Sequence, residues 1–210
     1  MKQLDSEWFE ARRGLVTGSR VGRIVDGGER SWNTLLKELK REQTMTGQDF
    51  LDNQINAAPL RHGNKYEPIA LANYEMVTGI DVDRPAFITN SAYPGCSYSP
   101  DGLWPRMERL IEIKAPYNPD VHSSTVMYGT GAKTYRAQCQ FGMALTETNL
   151  CDFISFDKRY ADPSKRLFII TVERDEPYIE KMLVKIHRFL EMLDSGTERE
   201  VQSNKIPELF

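Results

Sequence analysis

Ser99-Pro100-Asp101-Gly102, followed by Leu110-Ile111-Glu112-Ile113-Lys114-Ala115, is the stretch that decides the fold. In the second segment apolar and charged residues alternate, the period of a strand, and Pro116 ends it. On such a strand Glu112 and Lys114 share one face, while Ile111 and Ile113 turn into the packing. Gly102 and residues 105–108 supply a turn, so Asp101 on the neighbouring strand comes beside Glu112. Two carboxylates brought together in a low-dielectric site repel each other unless a divalent cation lies between them. Magnesium suits such a site, with manganese as its substitute, because it takes carboxylates, waters and phosphate oxygens. Lys114 would then stand where it can hold or help deprotonate an attacking water, an arrangement suited to phosphodiester hydrolysis. The same residues also fit a solvated edge strand, but apolar neighbours on both sides of Glu112 argue for a central strand, where unpaired charge is costly.

Working outward, the patterning predicts helices before the strands. Ser6 reads as the cap of a helix over 6–13 stopped by Gly14, and a second opens near Thr17–Ser19 and ends before Gly27-Gly28. Ser31 reads as the cap of a longer helix with Trp32, Leu35, Leu36 and Leu39 on one face. Residues 44–57 are polar and read as irregular. A helix over 59–78 is stopped by Gly79, with a kink expected at Pro68, beside Glu67. Strands are expected at 80–89, 95–104 and 109–115, then a helix at 133–145, strands at 151–156 and 167–173, and a helix at 176–194. The chain reads as one mixed α/β domain over 1–210.

Composition narrows the function classes. The 210 residues are 40% hydrophobic, 10% aromatic and 27% charged, an ordinary globular mix. No uncharged apolar run approaches the roughly 18 residues of a membrane helix, and no secretory signal follows Lys2, so a cytoplasmic protein without membrane partners is expected. Cys96, Cys139 and Cys151 are odd in number and unpaired in spacing, which argues against a disulfide framework or a zinc knuckle. His62, His122 and His187 are equally scattered. Any metal would therefore be held by oxygen. Net charge is −3, yet from Arg12 to Arg41 eight basic residues face three acidic ones, a balance of +5, while the chain from Thr171 onward carries −3. That asymmetry suits a protein that grips a polyanion on one face.

Five motifs, in order, add specificity: Trp8-x3-Arg12-x-Gly14-x-Val16-Thr17-x-Ser19, Gly63-x2-Tyr66-Glu67, Ser99-Pro100-Asp101-Gly102, Glu112-Ile113-Lys114 and Tyr135-x2-Gln138-x-Gln140. Together they resemble the phage lambda exonuclease family, the YqaJ-type viral recombinase nucleases, and the resemblance covers about Trp8 to Asp175. The resemblance implies a restriction-endonuclease-like PD-(D/E)xK core, a central mixed sheet flanked by helices. It also implies that Asp101, Glu112 and the Ile113 carbonyl bind the metal, that Lys114 is the catalytic lysine, and that Glu67 completes the site. By the same resemblance Arg12, Ser19 and Ser99 receive a 5′-terminal phosphate. Tyr135 and Gln138, three apart on one helix face, reach the scissile phosphate or its water. Leu60 wedges against the duplex end, and Arg30, in the loop before Trp32, reaches a DNA groove. The implied activity is Mg²⁺-dependent 5′→3′ degradation of one strand of linear double-stranded DNA. The family's members form trimeric rings and work with a single-strand annealing protein. A proline directly after the helix glutamate and the poor match of 42–58 depart from the family pattern. A sequence-specific endonuclease on the same core, or an inactive DNA-end-binding module, are the competing readings.

Overall fold

The computed structural model describes residues 3–52 and 58–195. Helices come first: α1 (Ser6–Arg12), α2 (Gly18–Val25), α3 (Glu29–Gln43), α4 (Gly47–Asp52) and α5 (Ala58–Thr78), with the short strand β1 (Val16–Thr17) between the first two. The strands β2 (Cys96–Ser97), β3 (Gly102–Leu103) and β4 (Leu110–Lys114) follow, then α6 (Pro119–Tyr128), α7 (Thr130–Thr134) and α8 (Arg136–Thr146). The chain continues through β5 (Leu150–Phe156) and β6 (Leu167–Glu173) to α9 (Glu176–Ser195).

One sheet has the order β3-β4-β5-β6, antiparallel at both outer pairs and parallel between β4 and β5; β1 and β2 form a separate parallel pair. The decisive stretch thus lies on an inner strand. Its alternation sorts side chains to two cores. Ile111 and Ile113 join Tyr66, Ala70, Leu71 and Tyr74 of α5 on one face. On the other, Leu110 joins the apolar faces of α2, α3, α8 and α9. The expected stripe of Trp32, Leu35, Leu36 and Leu39 is buried there. Helix α5 is pinned to the sheet by a buried polar knot: Asp152 of β5 accepts from Tyr74 (2.5 Å), Arg109 (2.7 Å) and Thr171 (2.7 Å).

Several expected elements differ. Residues 80–89 are not a strand; among the described residues they bridge to the strands' chain at Asp83–Leu103 and Ile88–Tyr98, and Pro85 between them cannot donate to a ladder. The expected strand 95–104 is split for the same reason at Pro100. Asp5, rather than Ser6, caps α1, its carboxylate accepting from the Trp8 amide at 2.7 Å. Ser31 lies inside α3, whose cap is Gly28. The helix expected over 59–78 does form, as α5, with Pro68 inside it. Within 44–57 the helix α4 forms, and residues 53–57 lie outside the described ones. The helix expected at 133–145 is two helices meeting at Tyr135, and α6 was not anticipated. Cys96, Cys139 and Cys151 are buried and free. Among the described residues no helix is long and apolar enough to cross a membrane.

Candidate active site

β3 is only two residues long and pairs Gly102 with Ile111. Continued by two positions, that register sets Pro100 opposite Ile113. A proline has no N–H, so the Ile113 carbonyl receives no ladder bond from it. The Ile113 amide is satisfied instead by the Asp101 carboxylate at 2.6 Å. Pro-Asp at the end of a short strand therefore turns a carboxylate and a backbone carbonyl toward one spot. That spot is a cleft of about 290 Å³ whose walls include Asp101, Ile113, Asn64, Glu67 and Pro68.

Glu112 lies on the opposite pleat of β4 and is buried. Its carboxylate accepts from Lys114 Nζ at 2.5 Å, from Gln138 Nε2 at 2.6 Å and from the Tyr98 hydroxyl. Lys114 in turn lies 5.1 Å from the centre of the Tyr135 ring, which stacks on Phe153. Burial works against the Lys114 ammonium, but Glu112, Asp101 and Glu67 together outweigh it and raise its pKa above the usual lysine value. Asp101 is pushed well above the carboxylate range, by burial first and then by the charge of Glu112; Lys114 opposes this and Glu67 adds to it. Glu67 is also raised, chiefly by burial, with Lys114 pulling the other way. Three carboxyl groups thus crowd one ammonium.

A second cleft, about 170 Å³, is lined by Phe9, Arg12, Arg13, Ser19, Arg20 and Glu42. Trp8 and Arg12, one turn apart on α1, stack with the guanidinium 3.8 Å from the ring centre. The Trp8 indole N–H donates to Ser99 Oγ (3.1 Å) and to the Ala86 carbonyl (2.9 Å), which ties this cleft to the corner carrying Asp101. Arg20 is held by Glu42, and Arg13 by Glu10. Among the described residues Arg12 makes no direct ion pair, and burial, followed by repulsion from Arg20, lowers its pKa to about 10 against the opposing attraction of Glu42. Ser19 is exposed in the first turn of α2, its hydroxyl 3.3 Å from that of Thr17.

The structure therefore brings together Asp101, Glu112, Ile113, Lys114, Glu67, Tyr135 and Gln138 in one place and Arg12 and Ser19 in another, with Ser99 joined to the second only through Trp8. Tyr135 is the junction between α7 and α8 and not a position inside one helix, yet its ring and the Gln138 amide reach the same Lys114–Glu112 pair. Leu60 is 46% exposed in the first turn of α5, and lines neither cleft. Arg30 is likewise outside both; it belongs to the first turn of α3, not to a loop, and borders a shallow groove with Lys37. The sequence reading missed Tyr98. Its signal was present: a large aromatic between Ser97 and Ser99, in alternation with them. Arg20 was counted only as charge.

No group of three His, Cys, Asp or Glu side chains among the described residues stands ready to hold a metal. The donor set is two carboxylates and a backbone carbonyl, all oxygen, with an excess of negative charge. That chemistry fits a hard divalent cation.

Residues 7–149 match the model of the YqaJ-like viral recombinase domain. The chain is similar to an alkaline exonuclease from Laribacter hongkongensis, at 33% identity over 90% of this chain and 93% of that one, with a TM-score of 0.80. A structure of that exonuclease in complex with dAMP matches at 34% identity over the same shares, with a TM-score of 0.81. A phage-related exonuclease from Haemophilus somnus shares the fold, at 15% identity over 87% of this chain and 96% of that one, with a TM-score of 0.63. An uncharacterised protein of Acanthamoeba polyphaga mimivirus is 24% identical over 73% of this chain, which spans only 29% of that protein's length. The fold is the restriction-endonuclease-like core expected from the sequence, and with the match covering most of its length the chain belongs to the YqaJ-like viral recombinase domain family.

Proposed function

We propose that this chain is a Mg²⁺-dependent 5′→3′ exonuclease that removes one strand of linear double-stranded DNA from 5′-phosphorylated ends. Membership of a viral recombinase and alkaline exonuclease family supports a nuclease role. The observation that carries the finer reading is the link, through Trp8 and Ser99, between the crowded carboxylates around Lys114 and the buried guanidinium of Arg12. A terminal phosphate carries more charge than an internal one, and a guanidinium can grip it in two places. A strand end seated on Arg12, Ser19 and Ser99 would lay a nearby phosphodiester in the cleft of Asp101 and Glu67. The relative solved with dAMP is in keeping with release of single nucleotides.

Asp101, Glu112 and the Ile113 carbonyl would hold magnesium, with Glu67 completing the set, and manganese could replace it. Bound there, the ion supplies charge neutralisation at the phosphorus and a more acidic water. Lys114 presents its ammonium to the same space and orients the attacking water or the phosphate oxygen. Gln138 holds Glu112 in place, and Tyr135 backs Lys114 against Phe153. In this reading the protein works as a homotrimeric ring in a bacterial cytoplasm, and the 3′ single strand it leaves goes to an annealing protein.

The test compares linear 5′-phosphorylated duplex, linear 5′-hydroxyl duplex and closed circular duplex, each with magnesium or EDTA. Loss of one strand from the phosphorylated linear DNA alone, abolished by EDTA, is the expected result. Lys114→Ala should slow it by at least about 100-fold, the usual worth of a proton-handling or orienting side chain. Cutting of the circle would overturn the end-dependent reading, and end binding without any cutting would overturn the catalytic one.

A further inference from the structure

Beyond the cleft, the sheet carries a second concentration of chemistry at the carboxyl ends of its two parallel strands. β4 runs out through Ala115 and Pro116 to Tyr117, while β5, paired with it up to Lys114–Ser155, runs out to Asp157, Lys158 and Arg159. Arg159 stitches the two exits together, donating to the carbonyls of Pro116 and Tyr117 at 3.1 Å each. Helix α5 adds His62, Lys65 and Tyr66 to the same place, directly before Glu67. The rings of His62 and Tyr66 are 4.5 Å apart, and His62 meets Tyr117 edge-on at 5.7 Å. Lys65 and Lys158 lie 5.4 and 5.0 Å from the centre of the Tyr66 ring.

Most of this cluster is not needed to hold the fold. Tyr117 is 53% exposed, and Lys65 and Lys158 are exposed without a carboxylate partner among the described residues. The acid at hand, Asp157, is buried and committed to Arg159 at 2.8 Å. Two ammonium groups without a carboxylate thus lie over the buried Tyr66 ring, with half-buried His62 and exposed Tyr117 beside it, and together they make a surface whose complement is an aromatic polyanion. Unpaired nucleotides present both properties, a phosphate for each ammonium and a π face for each ring. In a duplex the base faces are hidden in the stack, so the rings would find nothing to cover. The carboxyl ends of parallel strands are also where open α/β sheets place ligands.

We propose that Tyr117 and His62, with Lys65 and Lys158, form a platform that holds unpaired nucleotides of a nucleic-acid strand beside the cleft of Asp101 and Glu67. Only the identity of that strand, as one unpaired next to the cut, rests on the nuclease reading; binding itself does not.

The experiment measures the affinity of the full-length chain for a fluorescein-labelled 12-mer oligothymidylate by anisotropy. It is run in EDTA over a range of salt, with a duplex of equal length alongside. DNA cutting by the wild-type chain in magnesium is scored separately. Tyr117→Ala should weaken oligothymidylate binding by about 5- to 150-fold, the loss of one stacked base, and should weaken duplex binding less. Tyr117→Trp, which keeps a π face, should restore it. Lys158→Gln should lower the salt slope of log affinity by about 0.7, one phosphate contact on a single strand. Both side chains are exposed, so an unchanged melting temperature shows that the variants fold. Wild-type affinity and slope in Tyr117→Ala and Lys158→Gln would overturn the platform even if the chain cuts DNA. So would a wild-type chain that does not bind the oligonucleotide. Weakened binding in the variants, with a wild-type chain that cuts nothing, keeps the platform and overturns the catalytic reading instead.

Discussion

The hydroxyl of Tyr98 is donated to the carboxylate of Glu112, and the ring that carries it is seated in a socket of two glycines. A Cβ on Gly18 would lie 2.5 Å from the Tyr98 ring, and one on Gly142 would lie 2.6 Å from it. Glycine in α2 and in α8 thus lets a full tyrosine reach a buried carboxylate from below. Burial and the neighbouring Glu112 charge raise the phenol pKa well above its usual value, so it remains a donor. Tyr98→Phe keeps the ring and removes one of three donors to Glu112. The expected cost is about 1–3 kcal/mol in urea unfolding, the usual penalty for a buried acceptor left short. Cutting should slow with little change in KM, because the loss falls on the Glu112 carboxylate and not on a substrate contact. A variant as stable and as fast as wild type would show that Lys114 and Gln138 suffice.

The Asp152 knot makes a separate stability prediction. Arg109 is held between this carboxylate and the Trp104 face, 4.8 Å from the ring centre. Arg109→Ala leaves Asp152 buried with only Tyr74 and Thr171 as donors. Removing one partner of a buried pair costs about 3–5 kcal/mol, and the partial exposure of Arg109 puts the expected loss at the low end. Chemical denaturation measures it. Because Tyr74 lies on the same helix as Glu67, two turns on, activity should fall along with stability.

How much of this was legible in the sequence depends on how far each signal reaches along the chain. Alternation over 110–114 sufficed to put Glu112 and Lys114 on one face and Ile111 and Ile113 on the other, because side-chain direction in a strand is local. The stripe of α3 was legible for the same reason. Helix α6 was legible too, but missed: Asn118 accepts from the Asp120 amide and Pro119 occupies the first turn, a clear start signal. The Asp101–Ile113 bond, the Tyr98–Glu112 bond and the Trp8–Ser99 link were not legible. Each joins residues whose separation is set by how the sheet and helices pack, and no periodicity encodes that. Tyr135 looked helical because Gln138 follows it by three; the stack on Phe153 is visible only in the fold.

Asp101 gives a pH prediction with a definite sign. Its carboxyl sits well above its ordinary 3.8 in the folded chain and returns to that value on unfolding. Between the two values the folded chain keeps a proton the unfolded chain has lost, so this group's contribution to stability falls as pH rises through that window. Asp101→Asn can still accept from the Ile113 amide but carries no charge. In EDTA the variant should therefore be more stable than wild type at pH 8, with the difference shrinking toward pH 4. Each tenfold difference in proton affinity between the folded and unfolded chain is worth at most about 1.4 kcal/mol, less here because Asp101 keeps some contact with solvent. Thermal melts at the two pH values decide the matter, and a difference that does not vary with pH would contradict it. Added magnesium should stabilise the wild-type chain more than the variant, because the cation relieves a repulsion the variant lacks.

Arg12 sets the last prediction, because its burial is costly unless something offsets it. The guanidinium is charged at neutral pH, stacked on Trp8 and crowded by Arg20, with Ser19 on the wall of the same cleft. An anion entering the cleft compensates that burial, and a terminal phosphate offers two oxygens to the planar fork. Arg12→Ala should lower the rate on 5′-phosphorylated ends by about 10- to 100-fold, the worth of a charge-assisted hydrogen bond or two, and leave the rate on 5′-hydroxyl ends little changed. The ratio of the two rates is the quantity to measure, since a merely damaged fold would lower both together. Arg12→Lys should recover only part of the ratio, because an ammonium supplies the charge but not the fork. A ratio equal to wild type in Arg12→Ala would remove the 5′-phosphate from this cleft and leave the Trp8 stack as a packing contact alone.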